Sequence, residues 1–288
     1  MRWYPAPAKL NLFLHVLGRR ADGYHLLQTV FRLVDLLDEV GIAVRDNGEI
    51  RRLDATPGVS MAEDLCLRAA RLLREHALAQ GRAGAAALGA DLCLRKRIPI
   101  GGGLGGGSSD AATVLLVLNR LWGLGLGREA LMALGLQLGA DVPVFVLGSN
   151  ALGEGVGERL TPLALDPAWY LILIPQVSVS TKEIFSSPAL TRDTKPLKML
   201  PFLPLLGRND LQSVATGLYP QIGEHLDWLL QCGNARLVRM TGSGACVFAE
   251  FATEAEARAA AALLPAHMRG VVARGLERHP LLDPEVQG

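Results

Sequence analysis

A glycine-rich segment between Pro99 and Asp110 contains the residue types needed to bind a phosphate group. Six of its residues are glycine, and Ser108, Ser109 and Asp110 follow them. Glycines let backbone N–H groups crowd around an anion, and the N-terminus of a following helix adds free N–H groups and a positive dipole end. Apolar residues recur every three or four positions through 111–122, which predicts an amphipathic helix capped by Ser108 or Ser109. The segment therefore predicts a phosphate-binding loop at the start of a helix.

The residues around this loop exclude two common phosphate-binding motifs. The glycines at 101, 103 and 106 satisfy Gly-x-Gly-x-x-Gly, but a nicotinamide site also needs an acidic residue about 20 positions later. Residues 120–125 contain no acid. A Walker loop needs Gly-Lys-Ser/Thr, and no lysine follows these glycines. The remaining alternative is a flexible linker, although a strand pattern precedes the segment and a helix pattern follows it.

The composition of the chain limits the classes of function. The chain has 288 residues, of which 50% are hydrophobic and 20% are charged, enough for a large core in one large or two ordinary domains. Its net charge is +1, and its basic runs do not exceed two or three residues, as at 19–20 and 95–97. This balance argues against nucleic-acid binding. An anionic substrate must therefore be held by local donors.

The cysteines and the N-terminal residues favour a soluble, cytoplasmic protein. The four cysteines form no Cys-x-x-Cys motif, and a chain of this length needs no disulfide bonds. The first residues lack the apolar core of a signal peptide, and no apolar run reaches membrane-spanning length. The histidines are scattered singly, so the sequence predicts no transition-metal site. It gives no sign of a protein partner or of membrane binding.

Hydrophobic periodicity predicts the elements that must position the loop. Strands are expected at 9–17, 26–37, 38–44, 50–53, 91–98, 163–174, 235–240 and 270–275. Helices are expected at 64–76, 109–122, 128–138, 211–215, 222–230 and 253–264. The dipeptide Asn47-Gly48 predicts a hairpin before the strand at 50–53. A second, smaller glycine loop at 241–245 leads into another strand.

The mixture of elements favours an α+β fold, because strands and helices do not alternate regularly as in a doubly wound sheet. We expect an N-terminal domain over 1–160, which carries the glycine loop, and a C-terminal domain over 161–288. Residues 186–208, rich in proline and polar side chains, predict a long loop with no recognisable chemistry.

Three segments together resemble the GHMP kinase superfamily and span nearly the whole chain. In chain order they are 7–11 (PAKLN), 99–109 (PIGGGLGGGSS) and 241–245 (TGSGA). Further segments resemble the branch that uses ATP to phosphorylate the 2-hydroxyl of a cytidine-diphosphate sugar alcohol in the non-mevalonate isoprenoid pathway. These are 20–25 (RADGYH), 139–145 (GADVPVF), 153–157 (GEGVG) and 209–211 (NDL). The resemblance implies a two-domain GHMP kinase architecture with an N-terminal half like ribosomal protein S5 domain 2.

For catalysis, the resemblance implies that Lys9 and Asp141 act together on the substrate hydroxyl. Asp141 would accept the hydroxyl proton, and Lys9 would keep the carboxylate ionised. Asn11 would bind the substrate, because residues two apart in a strand share a face. Without the resemblance, residue type favours ordinary structural roles: Asp141 as a helix cap or turn residue and Lys9 as a strand-face lysine. The corresponding alternative for Asn11 is a surface residue.

For binding, the resemblance implies that Tyr24 and Phe185 stack on the cytosine while His25 reads the edge of the base. Phosphate or Mg²⁺ would be met by Ser108 or Ser109. The residues expected to bind ATP are Lys96, Pro99, Gly101, Gly102, Gly103, Leu104, Gly105, Gly106, Gly107, Ser108 and Ser109. Two alternatives are another GHMP kinase, of the homoserine or mevalonate type, and a nucleotide-binding protein without catalysis.

One position departs from the pattern of the family. Before its own second helix, the family commonly has Asp-Asn-Leu, in which the asparagine contacts adenine, whereas this chain has Glu63-Asp64-Leu65. A carboxylate offers no N–H donor. The resemblance therefore does not carry the adenine contact over to Asp64.

Overall fold

The computed structural model describes residues 1–54, 60–198 and 207–282 of the chain. In these ranges the strands are β1 (Arg2–Arg19), β2 (His25–Arg45), β3 (Ile50–Arg52), β4 (Gly89–Arg95), β5 (Ala151–Gly155), β6 (Arg159–Pro162), β7 (Trp169–Leu173), β8 (Leu237–Met240), β9 (Val247–Phe251) and β10 (Gly270–Arg274). The α-helices are α1 (Leu65–Ala79), α2 (Gly106–Leu121), α3 (Arg128–Leu138), α4 (Val142–Leu147), α5 (Thr181–Ser186), α6 (Gln212–Leu218), α7 (Pro220–Leu230) and α8 (Glu254–Ala262). Short 3₁₀ turns lie at Ala85–Ala87 and Pro280–Leu282.

The larger sheet is organised around β2. Its order is β3-β4-β2-β5-β6, and β1 pairs with β2 in antiparallel fashion along almost the whole length of both strands. The sequence predicts two strands where the structure has β2 alone, because Asp38 at the expected break stays within the strand. Its carboxylate accepts hydrogen bonds from the backbone N–H groups of Arg97 (2.6 Å) and Ile98 (2.9 Å). These partners, together with the ammonium of Lys96, compensate for the burial of a charge inside the sheet.

The hairpin predicted at Asn47-Gly48 is wrong. The chain does turn there, with Gly48 at φ 74, but β3 pairs in parallel with β4 and not with β2. The physical reason is that β4 already occupies the hydrogen-bonding edge of β2 from Glu39 to Arg45. A parallel pair needs a crossover connection, and α1 provides it between β3 and β4.

Helices α1 to α4 pack together over the larger sheet, so that the helix after the glycine loop lies deep in the protein. The contacts are most extensive between α1 and α2 and between α3 and α4. Every residue of α2 from Ser109 to Leu115 is buried. A helix embedded in this way gives the loop before it a rigid support.

The smaller sheet has the order β10-β7-β9-β8, with all its pairs antiparallel. Helices α6, α7 and α8 contribute buried apolar residues to its core, among them Val214, Leu226 and Ala257. Strand β1 connects the two halves: Ala6 lies in the core under α1 to α4, whereas Val16 lies in the core of the smaller sheet. The domain boundary near residue 160 stays a prediction.

No helix in the described ranges combines the length and the apolar content that crossing a bilayer requires.

Candidate active site

The glycine loop leads directly into α2, and the helix begins three residues earlier than the sequence predicts. Gly105, at φ 73, is the N-cap residue and no side chain caps the helix, so the predicted cap by Ser108 or Ser109 is wrong. The left-handed conformation of Gly105 is open to glycine and costly for other residues, which is why the glycines and not the serines set the start. The first backbone bond of the helix runs from Ser109 N to Gly105 O, at 2.9 Å. The N–H groups of 106–108 therefore remain as first-turn donors for an anion.

The second glycine loop packs against the first. The Thr241 hydroxyl donates to the Gly103 carbonyl (3.3 Å) and accepts from the Asn11 N–H (3.0 Å), and Cys246 N donates to the Gly102 carbonyl (3.2 Å). A Cβ at Gly103 would collide with the Thr241 carbonyl. Three motifs far apart in the sequence thus meet in one hydrogen-bonded unit.

Lys9 and Asp141 meet where these segments converge. Lys9 is buried on β1, and its Nζ lies 2.6 Å from Asn11 Oδ1 and 3.2 Å from Asp141 Oδ2. Asp141 precedes the short helix α4, yet its carboxylate makes no capping bond to that helix. The alternative that Asp141 serves as a helix cap is therefore not what the structure shows: the carboxylate pairs with Lys9 and is about one-third exposed.

The amide of Asn11 is engaged by the protein. Its Oδ1 accepts from Lys9 Nζ and from Gly242 N (3.0 Å), and its Nδ2 donates to Thr29 Oγ1 (2.9 Å). Thr29 in turn donates to the Phe13 carbonyl. This network fixes the amide oxygen on Lys9 and ties β1 to the second glycine loop.

Thr29 and Asn209 are functional neighbours that the sequence analysis does not find. Asn209 donates from Nδ2 to the carbonyls of Met240 and Gly242, both at 2.8 Å, and so holds the second glycine loop. The segment 209–211 belongs to the family resemblance, but the resemblance gives it no role. For Thr29 no motif exists, because a single threonine inside a strand has no distinguishing pattern.

Two adjoining clefts open onto this centre. One lies between the glycine loop and the start of α1, and its lining includes Asp64, Lys96, Pro99 and Asp110. The other is lined by Lys9, Asn11, Asp141 and the second glycine loop, and also by Tyr24, His25 and Phe185. The clefts share Gly101, Gly103, Gly105 and Ser108. We call them the nucleotide cleft and the acceptor cleft. All residues predicted for catalysis and for the acceptor substrate line the second one.

The three residues predicted to hold a base take different positions. The rings of His25 and Phe185 lie in contact, with centroids 5.0 Å apart and planes inclined by 35°. Tyr24 stands in the turn before β2 with 64% of its surface exposed, at the rim of the acceptor cleft. His25 and Phe185 therefore form a preassembled wall, and Tyr24 stands exposed at its edge.

Lys96 borders the nucleotide cleft as the centre of a buried charge cluster. Its ammonium bonds Asp38 and also Asp110 Oδ2, the latter at 2.9 Å. The pKa of Asp110 is raised to about 7, chiefly by burial; the nearby Lys96 opposes the rise, and the Asp38 carboxylate adds to it. The cation that borders the cleft is therefore already paired with acidic groups of the protein.

Asp64 caps α1 and does not point its carboxylate freely into the cleft. Its Oδ1 accepts from Cys66 N (2.8 Å) and Leu67 N (3.1 Å), while its Oδ2 lies 2.5 Å from Arg52 Nη1. Both carboxylate oxygens are therefore occupied within the protein.

Comparison with known proteins identifies the fold family of this chain. The chain matches the family models "GHMP kinases N terminal domain" over residues 64–149 and "GHMP kinases C terminal" over residues 199–270. A crystal structure of 4-(cytidine 5'-diphospho)-2C-methyl-D-erythritol kinase superposes with a TM-score of 0.79 at 36% identity, covering 95% of this chain and 99% of that one. A homoserine kinase from Cytophaga hutchinsonii, at 16% identity with a TM-score of 0.70, covers 97% of this chain and 96% of its own, and shows the same fold. The predicted α+β GHMP kinase fold is confirmed.

Relatives in sequence identify the family of this chain more narrowly than the fold does. The 4-diphosphocytidyl-2-C-methyl-D-erythritol kinase of Nitrosospira multiformis is 59% identical over 279 residues, which covers 97% of this chain and 92% of the relative. The enzyme of the same name from Thiobacillus denitrificans is 59% identical over 280 residues, covering 97% of both chains. The chain thus belongs to the 4-diphosphocytidyl-2-C-methyl-D-erythritol kinase family of the GHMP kinases.

Proposed function

We propose that the protein transfers the γ-phosphoryl group of ATP to the 2-hydroxyl of 4-diphosphocytidyl-2-C-methyl-D-erythritol. The relatives that match this chain over nearly its full length are named for this activity. The observation that carries the proposal is the junction of the two clefts. ATP in the nucleotide cleft would direct its phosphates to the shared glycine loop, and an alcohol in the acceptor cleft would lie beside Lys9 and Asp141.

In this proposal, Asp141 accepts the proton of the attacking hydroxyl. Its carboxylate is partly exposed to the acceptor cleft, and the ammonium of Lys9 lies 3.2 Å away. The positive charge stabilises the alkoxide character that develops on the acceptor oxygen. Asn11 holds the Lys9 ammonium at 2.6 Å, so its main contribution is to orient the cation. Phosphoryl transfer depends mostly on such positioning and charge stabilisation.

The first-turn N–H groups of α2 and the two stacked glycine loops would receive the phosphates of ATP. Gly103 lets the two loops approach each other closely, because a Cβ there would collide with the Thr241 carbonyl. Backbone N–H groups arranged around a concave loop form an anion-binding nest.

A magnesium ion fits this donor set. Mg²⁺ usually binds through substrate phosphates with only one or two protein oxygens, and it retains several waters. Ser108 borders both clefts, whereas Ser109 is fully buried. We therefore assign Ser108, and not Ser109, as the hydroxyl that faces the metal and the phosphates. The ion would supply neutralisation of the phosphate charge.

The cytoplasm is the compartment we propose for this activity. Cys66, Cys93, Cys232 and Cys246 are all free thiols in the structure, as expected in a reducing environment.

An ADP-release assay with a panel of alcohols tests the proposed function. With ATP and Mg²⁺ present, the cytidine-diphosphate methylerythritol should give the highest kcat/KM, well above homoserine and mevalonate. Turnover of homoserine or mevalonate in preference would place the protein elsewhere among the GHMP kinases. ATP binding without ADP release from any alcohol would favour a nucleotide-binding protein without catalysis.

A further inference from the structure

Arg192 lies in the segment 186–208, in which the sequence shows no recognisable motif, and its guanidinium joins both sides of the acceptor-cleft wall. The Nε atom lies 3.1 Å from His25 Nε2. Nη2 donates to the carbonyls of Phe185 (2.9 Å) and Ser187 (2.8 Å), and Nη1 donates to the Leu190 carbonyl (3.0 Å). One side chain therefore bonds to the imidazole and also to the end of the helix that carries Phe185.

The bond to His25 determines which imidazole nitrogen carries the proton. A guanidinium has five N–H donors and no acceptor, and it stays charged in proteins. His25 Nε2 must therefore accept with its lone pair, so the ring is neutral and its proton resides on Nδ1. Within the described part of the chain, Nδ1 makes no hydrogen bond to a side chain or backbone group, and His25 lines the acceptor cleft. The ring thus keeps one defined donor for a ligand.

The bonds to the carbonyls stabilise the position of Phe185. Helix α5 spans only six residues, from Thr181 to Ser186, and a helix this short is not stable by itself. Its last carbonyls have no partners within the helix, and a cation at this end is also favoured by the helix dipole. Arg192 donates hydrogen bonds to the carbonyls of Phe185 and Ser187. These bonds hold the end of the helix, so that the Phe185 ring lies against His25 with centroids 5.0 Å apart.

We propose that Arg192 is a positioning residue for the cytidine base: it fixes His25 as a neutral Nδ1–H donor and holds Phe185 beside it. The proposal rests on the proposed function, because it assumes that the acceptor cleft receives a cytidine. A base edge is read by donors and acceptors at fixed places. An imidazole free to exchange tautomers, or to become charged, would discriminate poorly between cytosine and uracil.

The charges around His25 agree with this role. Burial lowers the pKa of His25, and the positive charges of Arg192 and then Arg19 lower it further. In the folded protein, the imidazole consequently gains a proton only at a pH below its ordinary range. Removing Arg192 should raise the pKa of His25 and bring its protonation closer to neutral pH.

The first test uses the unmodified protein and needs no catalysis. Long-range ¹H–¹⁵N spectra of histidine-labelled protein distinguish the two neutral tautomers from the imidazolium. The signal of His25, one of six histidines, is assigned by its disappearance in His25→Gln. At pH 7 the proposal requires the Nδ1–H tautomer. An Nε2–H tautomer or a charged ring would overturn it, whatever the substrate of the enzyme proves to be.

The second test compares Arg192→Met with Lys195→Met. Lys195 is an exposed residue of the same segment, so its replacement removes the same charge and leaves the bonds of Arg192 to His25 and to the end of α5 in place. In Arg192→Met, the KM for the cytidine substrate should rise about tenfold, while kcat and the KM for ATP stay within about twofold. The preference for the cytidine over the matching uridine substrate should fall, and the His25 signal should titrate at a higher pH. Lys195→Met should behave as the unmodified enzyme.

Three outcomes separate the possibilities. If Arg192→Met leaves the KM, the base preference and the His25 titration unchanged, the positioning role is disproved. If kcat and both KM values worsen together without a change in base preference, Arg192 merely maintains the fold, and the proposal also fails. If the unmodified enzyme does not turn over the cytidine substrate, the proposed function fails, and the tautomer measurement still decides the contact between Arg192 and His25.

Discussion

The nucleotide cleft and the acceptor cleft are neighbours built by different means. The nucleotide cleft uses mainly one continuous segment, from Pro99 to Ser108, which includes the start of α2, together with residues at the start of α1. The acceptor cleft uses side chains from β1, β2, the turn before α4 and helix α5, which lie far apart in the sequence. A site built from backbone groups depends on the absence of side chains. A site built from side chains depends instead on packing between elements that are distant in the sequence.

This difference separates the effects of substitutions. Adding a side chain should damage the nucleotide cleft, whereas removing one should damage the acceptor cleft. Both clefts share Gly101, Gly103, Gly105 and Ser108, so a substitution at one of these positions can affect both.

The largest effect is expected from Asp141→Asn in the acceptor cleft. The amide keeps the volume of the carboxylate but cannot accept the hydroxyl proton, so kcat should fall by roughly 10²–10⁴-fold. Both substrates should still bind, which calorimetric titration beside rate measurements would show. Asp46→Asn serves as the control, because it neutralises an exposed carboxylate that lines neither cleft. Wild-type turnover in Asp141→Asn would remove Asp141 from the mechanism.

The matching change in the nucleotide cleft is Gly103→Val. The new Cβ meets the Thr241 carbonyl, and a β-branched residue is strained at φ 75. The added strain of about 2–5 kcal/mol should displace the loop, so ATP binding should weaken strongly, with a smaller effect on the cytidine substrate. Gly84→Val is the matched control, since Gly84 has φ 76, has room for an added Cβ with no atom within 4 Å, and lines neither cleft. If a folded Gly103→Val protein binds ATP normally, the loop does not hold phosphate.

Removing an aromatic ring from the acceptor cleft should have an intermediate effect. Phe185→Ala is expected to weaken binding of the cytidine substrate by roughly 1–3 kcal/mol, the range for stacking of a base on an aromatic side chain. ATP affinity should barely change, because Phe185 does not line the nucleotide cleft. An equal loss for both ligands would indicate a general loss of structure and not a base-stacking role.

The smallest effect is expected from Asp64→Asn in the nucleotide cleft. Asparagine caps a helix about as well as aspartate, so α1 should remain intact, and only the ion pair with Arg52 is weakened. ATP affinity should change by less than about threefold, since both carboxylate oxygens already have protein partners. A larger change in an ATP titration would show that this residue contacts the nucleotide.

The same contrast explains what the sequence could predict. The glycine loop and α2 follow from a local pattern, because glycines and helical periodicity act over neighbouring residues. Even there, the pattern misplaces the start of the helix, since Gly105 in the left-handed conformation takes the capping position from the serines. The continuity of β2 escapes prediction because the partners that accommodate Asp38 lie 59 and 60 residues away.

The acceptor cleft is accessible from the sequence only through the family resemblance. Nothing local indicates that Lys9 lies beside Asp141, or that Thr29 orients Asn11. Arg192 escapes prediction because its partners, His25 and Phe185, are joined only after β1, β2 and α5 have packed. Such contacts depend on tertiary structure and leave no periodic signal.

We propose that Lys9 and Asp141 act as one unit at the junction of the two clefts, and a double-mutant cycle on kcat measures this coupling. Lys9→Met, Asp141→Asn and the combined variant would be compared with the unmodified enzyme at saturating ATP and cytidine substrate. Residues that act as a unit are strongly non-additive. We predict that the double variant is no slower than the slower single variant, within about threefold. Rate losses that multiply in the double variant would contradict the claim, because they would show that Lys9 and Asp141 act independently.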